Sequence, residues 1–141
     1  MKIQNSKAKV KKEEAIGPSS KNSISRQIAR KSVEAILEKQ GLDPVVLEVR
    51  KLTDIADYFI ITSGRTDRQV EAIQDSILDN LKEAGFRPLG VEGRRGGEWV
   101  LMDFGGAIIH IFTPETRDFY RLESLWISAP LHEGENFLKE S

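Results

Sequence analysis

The stretch DYFIITSGRTDRQVEAI, residues 57–73, decides how this chain is built. Its first half is a nearly unbroken apolar run, which suits a strand covered on both faces better than one with a wet side. Its second half opens with a helix start signal. Thr66-Asp67-Arg68-Gln69 fits a capping box, in which the threonine oxygen takes an N–H of the first turn and the glutamine reaches back. Asp67 stands where the helix end is positive. Val70, Ile73, Ile77, Leu78 and Leu81 then recur at helical spacing, and Gly85 closes the helix. A buried strand therefore leads through Gly64 into an amphipathic helix, the unit from which layered sheet-and-helix domains are assembled.

Upstream, residues 25–40 read as a helix. Ser23 or Ser25 can cap it, Ile28, Ala35 and Ile36 form its apolar stripe, and Gly41 ends it. VVLEVRK (45–51) alternates Val45, Leu47 and Val49 against Val46, Glu48 and Arg50, as a half-exposed strand does. Downstream, FRPLGVE, EWVLMDF and AIIHIFT are three strand candidates separated by glycine-rich turns. Thr113-Pro114 begins a last helix, whose stripe is Phe119, Leu122, Leu125 and Trp126. The tail from residue 128 to 141 carries weak signals and is expected to be irregular. The order predicts an α/β fold: a single domain over residues 24–127, with a mixed sheet of about five strands flanked by helices.

The 141 residues suffice for one domain with a real core. Cysteine is absent, so disulfides and thiolate metal sites are excluded. No apolar run reaches membrane-spanning length, so no membrane role is expected. The net charge of −1 conceals an asymmetry: residues 1–31 carry nine Lys or Arg against two Glu, the rest 12 basic against 20 acidic side chains. Residues 1–23 read as a basic, disordered extension, either a tether for a polyanion or a solvated tail. The acidic body opposes direct binding along a nucleic-acid backbone and suits a basic protein partner.

Strand, glycine, helix is also how the nucleotidyltransferase fold begins. Its enzymes hold two metal ions with carboxylates two residues apart on a strand, since alternate positions share a face. Here Asp103 is flanked at that spacing by Leu101 and Gly105, and Asp57 is far away in sequence. The sequence thus predicts a nucleotidyltransferase-like architecture without the catalytic carboxylate pair, and neither cofactor nor metal. His110 lies on the same side of its strand as Ile108 and Phe112, where a hydrogen-bonded core histidine is the plain reading. GVEGRRGGEW (90–99) has the glycines of a phosphate loop but neither its Lys-Ser/Thr ending nor a following helix. It reads as a hairpin with Arg94 and Arg95 solvated at its tip. Trp99, on the flank, is either a partly buried core aromatic or an exposed anchor for a protein partner.

ADYFIITSGRTDRQVEAI, PLGVEG, EWVLMDFGGAIIHIF and RDFYRLESLW occur in the order and spacing of the ribosomal silencing factor family (RsfS, or Iojap), which residues 25–127 resemble. The resemblance implies a non-enzymatic, cytoplasmic translation repressor. Such a factor binds the large ribosomal subunit through its fourteenth ribosomal protein and blocks joining of the small subunit when nutrients are scarce. A large-subunit assembly role, as in organelles, and a nucleotide-handling enzyme are the alternatives. Trp99 matches the family tryptophan that faces the ribosomal protein; Leu89, Gly90, Glu92, Leu101 and Asp103 are the adjacent candidates. Asp57, Gly64, Arg68, Gln69 and His110 match motif positions assigned to fold maintenance. Tyr120, Leu122, Glu123 and Trp126 match a helix expected to pack on the sheet. A homodimer and a weak ribosomal RNA contact through the basic arm are further expectations. Gly106 departs from the family, many of whose members carry Asp there.

Overall fold

The computed structural model describes residues 23–140, so the expected basic arm lies outside the described residues except for Ser23. The strands are β1 (Leu42–Glu48), β2 (Tyr58–Ser63), β3 (Gly90–Glu92), β4 (Trp99–Asp103), β5 (Ala107–Phe112) and β6 (Leu131–Glu133). The helices are α1 (Ile24–Glu38), α2 (Asp67–Glu83), α3 (Pro114–Tyr120), α4 (Leu122–Leu125) and α5 (Gly134–Lys139). All the strands join one sheet in the order β3–β4–β5–β2–β1–β6. The fold is the expected α/β domain with a mixed sheet, one strand larger than anticipated. β2 pairs with β5 in parallel, because the chain between them crosses over through α2; the other neighbours are antiparallel.

The two continuous apolar runs become the centre of the sheet, with every residue of β2 and β5 buried. Two clusters form on its two faces. On one, Ile60, Ile109, Val100 and Met102 meet Ile28, Val33 and Ile36 of α1, Val70, Ile73, Ile77 and Leu81 of α2, and Phe137 of α5. On the other, Leu47, Phe59, Ile61, Ile108 and Phe112 cluster with Val49, Ala56 and Ala129, and among the described residues partly buried side chains such as Trp99, Leu122 and Trp126 pack against them. The thin cover of this second face is what makes it a candidate surface.

Caps behave as their chemistry requires. Ser23 Oγ accepts the Arg26 N–H at 3.1 Å, deciding between the two serines at the start of α1. Thr66 Oγ1 accepts the Gln69 N–H at 3.1 Å, while Gln69 Oε1 accepts the Arg65 N–H at 2.6 Å. The Gln69 amide also donates to the carbonyls of Lys39 and Gln40, tying the start of α2 to the end of α1. At Gly64 a Cβ would lie 2.8 Å from the Val70 backbone nitrogen, so only glycine lets the strand turn this tightly into the helix.

Four expectations need correction. The tail is not irregular: β6 pairs with β1 through Val45–Glu133, Val46–His132 and Leu47–Leu131, and α5 follows. Phe137 is fully buried, edge-on to Tyr58 at 5.8 Å and beneath the Arg26 guanidinium at 4.7 Å. With an edge covered by β6 and a face by α5, β1 is not half exposed; Val46, Leu47 and Val49 are all buried. Nor is the last helix continuous. Arg121 adopts a left-handed conformation (φ 48°, ψ 55°) and separates α3 from α4. Arg117 holds that break in place: it donates to the Leu42 and Asp43 carbonyls (3.0 and 2.8 Å) and pairs with Glu123 at 2.8 Å. Nor is Arg95 a free tip residue. It takes Asp75 with two 2.7 Å bonds and Glu71 with a third, clasping the β3–β4 loop to α2. These two carboxylates raise its pKa further.

Candidate functional site

The thinly covered face is built row by row from strand register, since directly paired residues point the same way. One row runs Glu92, Leu101, His110, Ile61, Val45, Glu133. The next runs Gly90, Asp103, Ile108, Phe59, Leu47, Leu131. Trp99 pairs with Phe112 and Phe112 with Ser63 in a third. Register thus brings Trp99, Leu101, Asp103, Gly90 and Glu92 to one face. Leu89, 77% exposed, precedes the edge strand, and alternation places it with Val91 on the opposite side.

Trp99 and Leu101 are half-buried. The indole packs 5.0 Å from the Phe112 ring and 4.7 Å from that of Tyr120. Its Nε1–H donates to His110 Nδ1 at 3.2 Å. Trp99 is therefore a partly buried participant in the second core that keeps part of its ring at the surface. Because the indole can only donate, His110 Nδ1 must be bare and its proton must sit on Nε2. His110 is 6% exposed, and its Nε2 has no partner among the described residues. Burial pushes its pKa down to about 4, so the ring is neutral at pH 7.

Asp103 serves its own turn. Its Oδ1 accepts the Gly105 N–H at 2.8 Å, and its carbonyl accepts from Leu89 at 2.7 Å. Asp57 leads into β2, with β5 between it and Asp103, its N–H on the Gly106 carbonyl at 2.8 Å. Gly106 itself lies under α1: a Cβ there would collide with the side chain of Ser25. The chain keeps glycine where the first turn of α1 presses on the sheet.

Sequence reasoning missed the residues that extend this face. Phe119 is 78%, Leu125 72% and Ile127 83% exposed, while the Phe119 ring packs on Tyr120 at 5.0 Å. From Leu101 through Trp99 and Tyr120 to Phe119, aromatic and aliphatic side chains adjoin one another at the surface. Glu92, Glu98 and Glu115 lie near them in the chain, Asp118 pairs with Arg121 at 3.5 Å, and the guanidinium of Arg95 is engaged on α2. Helical periodicity had assigned Phe119 and Leu125 to a buried stripe. The left-handed Arg121 breaks that period, and no glycine, proline or asparagine at position 121 signals it.

The profile of the family described as ribosomal silencing factor during starvation matches residues 22–141. A ribosomal silencing factor of Chromobacterium violaceum is 39% identical over 101 residues, 72% of this chain and 83% of the relative. A crystal structure from the same organism superposes with a TM-score of 0.71 at 38% identity, covering 74% of this chain and 87% of that one. The mouse protein named mitochondrial assembly of ribosomal large subunit protein 1 is 32% identical over 97 residues, 67% of this chain but 42% of the relative.

Proposed function

The chain belongs to the ribosomal silencing factor family, and on that premise we propose that it docks on the large ribosomal subunit through the fourteenth large-subunit ribosomal protein. Bound there, it obstructs the small subunit and represses translation, chiefly when nutrients are limiting. The observation that carries this reading is the apolar surface formed by half-buried Trp99 and Leu101 with exposed Tyr120 and Phe119, near which Glu92, Glu98 and Glu115 stand in the chain. Its apolar centre supplies binding energy and its acidic surroundings select a basic protein. Asp103 and Glu92 contribute charge, and Gly90 keeps the edge low. Leu89 is the weakest member of the set, because it faces away.

The reading is of a cytoplasmic factor that works by steric exclusion and not by catalysis. Asp103, the one carboxylate placed for nucleotidyl transfer, has Leu101 and Gly105 at the positions where a second ligand would stand. No described helix is long and apolar enough to cross a membrane. A homodimer is part of the same proposal. The ribosomal RNA contact expected of the basic arm lies outside the described residues. A role in large-subunit assembly is the second reading, motivated by the name of the mouse relative.

A subunit-joining assay tests the first reading. Wild type should shift ribosomes toward free subunits. Truncating a central anchor costs about 2 kcal/mol, or roughly 30-fold in affinity, so Trp99→Ala should need that much more protein for the same effect. Phe119→Ala and Leu125→Asp remove exposed groups without touching the core and should weaken docking with unchanged stability. If all three variants act at wild-type concentration, the surface is wrongly assigned. If cells lacking the protein accumulate immature large-subunit precursors while purified mature subunits join normally in its presence, the assembly reading replaces the first.

A further inference from the structure

On stability grounds alone, position 110 should be aliphatic. It lies in the middle strand of a row whose neighbours are Leu101 and Ile61, with Phe59 edge-on at 5.5 Å and Phe112 stacked at 6.2 Å. An imidazole there is desolvated and leaves Nε2 without a partner among the described residues, a cost that leucine would not incur. What the imidazole supplies is an acceptor. The aromatic and aliphatic groups packed around the Trp99 ring, Phe112, Tyr120 and Leu101, are dominated by carbon, and His110 Nδ1 receives the indole N–H from within the sheet. Tryptophan has a broad, roughly two-fold χ2 preference, so without this bond the ring can turn its N–H to water.

We propose that His110 is a positioning residue: by accepting the indole N–H of Trp99 it fixes the orientation of the docking anchor. The inference rests on the docking reading above and adds the group that controls it. With its single polar group satisfied internally, the part of the indole left at the surface is carbon with no hydrogen-bonding demand. A partner can cover it without supplying an acceptor, and it carries no penalty for burial of an unpaired N–H. Among the described residues, neither ring nitrogen of His110 is bonded to an ionised side chain. The nearest acids in the row, Glu92 and Glu133, stand two and three strands from His110.

The test compares wild type with His110→Leu, which removes the acceptor, and His110→Asn, whose Oδ1 can replace Nδ1. Trp99→Ala serves as the docking control. The indole N–H resonance of Trp99 is followed in a Trp126→Phe background, together with affinity for purified large subunits. His110→Leu should fold at least as stably as wild type, yet lose the protection of the indole N–H from exchange. It should bind about five- to tenfold more weakly, the worth of one hydrogen bond. His110→Asn should restore both readouts. If His110→Leu leaves indole protection and affinity unchanged while Trp99→Ala abolishes binding, His110 positions nothing and the proposal falls alone. If Trp99→Ala binds like wild type, the docking reading falls first and takes this one with it. Should His110→Leu fail to fold, failure of the folded His110→Asn variant to keep the indole protected overturns the proposal.

Discussion

Acid should destabilise this protein through one buried side chain, and the size of the effect follows from its surroundings. His110 titrates near 6.5 in the unfolded chain and at about 4 in the fold, with desolvation as the cause. Between those values the unfolded state binds more protons than the native one, so stability rises with pH across that window. The contribution is fully present above about pH 6.5 and is lost as pH falls through about 4. At about 1.4 kcal/mol per pH unit the loss approaches about 3 kcal/mol, a large fraction of the roughly 5–15 kcal/mol that holds a typical domain folded. Urea unfolding of wild type and His110→Leu at steps from pH 7.5 to 4 isolates the effect, because the two proteins differ in no other ionisable side chain. The wild-type curve should fall away from that of His110→Leu below pH 6.5, and the NMR signal of the His110 ring should stay that of the neutral form down to about pH 5. Parallel stability curves would refute the assignment of His110 as a buried neutral base.

Three other perturbations test the architecture. Phe137→Ala should cost about 3–5 kcal/mol in urea unfolding, as for a fully buried phenylalanine; a loss below about 1 kcal/mol would mean that α5 is not part of the core. Gly106→Asp should destabilise the fold by about 1–3 kcal/mol, because its Cβ collides with Ser25. Ser25→Gly should recover part of that loss, and the absence of any recovery would place the strain elsewhere. Arg95→Gln should scarcely move the thermal midpoint, since the clasp is solvent-exposed and screened. Hydrogen exchange of residues 93–98 should nevertheless quicken, and unchanged protection there would show that the clasp does not hold the loop.

Much of the layered fold was legible locally. The apolar runs at 58–63 and 107–112 announced strands buried on both faces, and Thr66 with Gln69 announced the start of α2. The hairpin before Trp99 was visible in its glycines. The candidate face was legible in part: Trp99, Leu101, Asp103, Gly90 and Glu92 do share a side. Phe119 and Leu125 were misread, because a period of 3.6 assumes an unbroken helix. The break is held by Arg117, whose bonds to Leu42 and Asp43 span more than 70 residues of sequence.

Sequence by itself determined what each segment could become, because strand and helix patterns are set by side chains two to four residues apart. Tertiary structure alone decided what those segments meet. The weakly patterned residues 131–139 became a strand and a helix because β1 offered an unpaired edge and the core a space for Phe137. Trp99 and His110 are unremarkable 11 residues apart in the chain. Antiparallel register of β4 on β5 puts the donor of one against the acceptor of the other, and a hydrogen bond exists only where both atoms arrive.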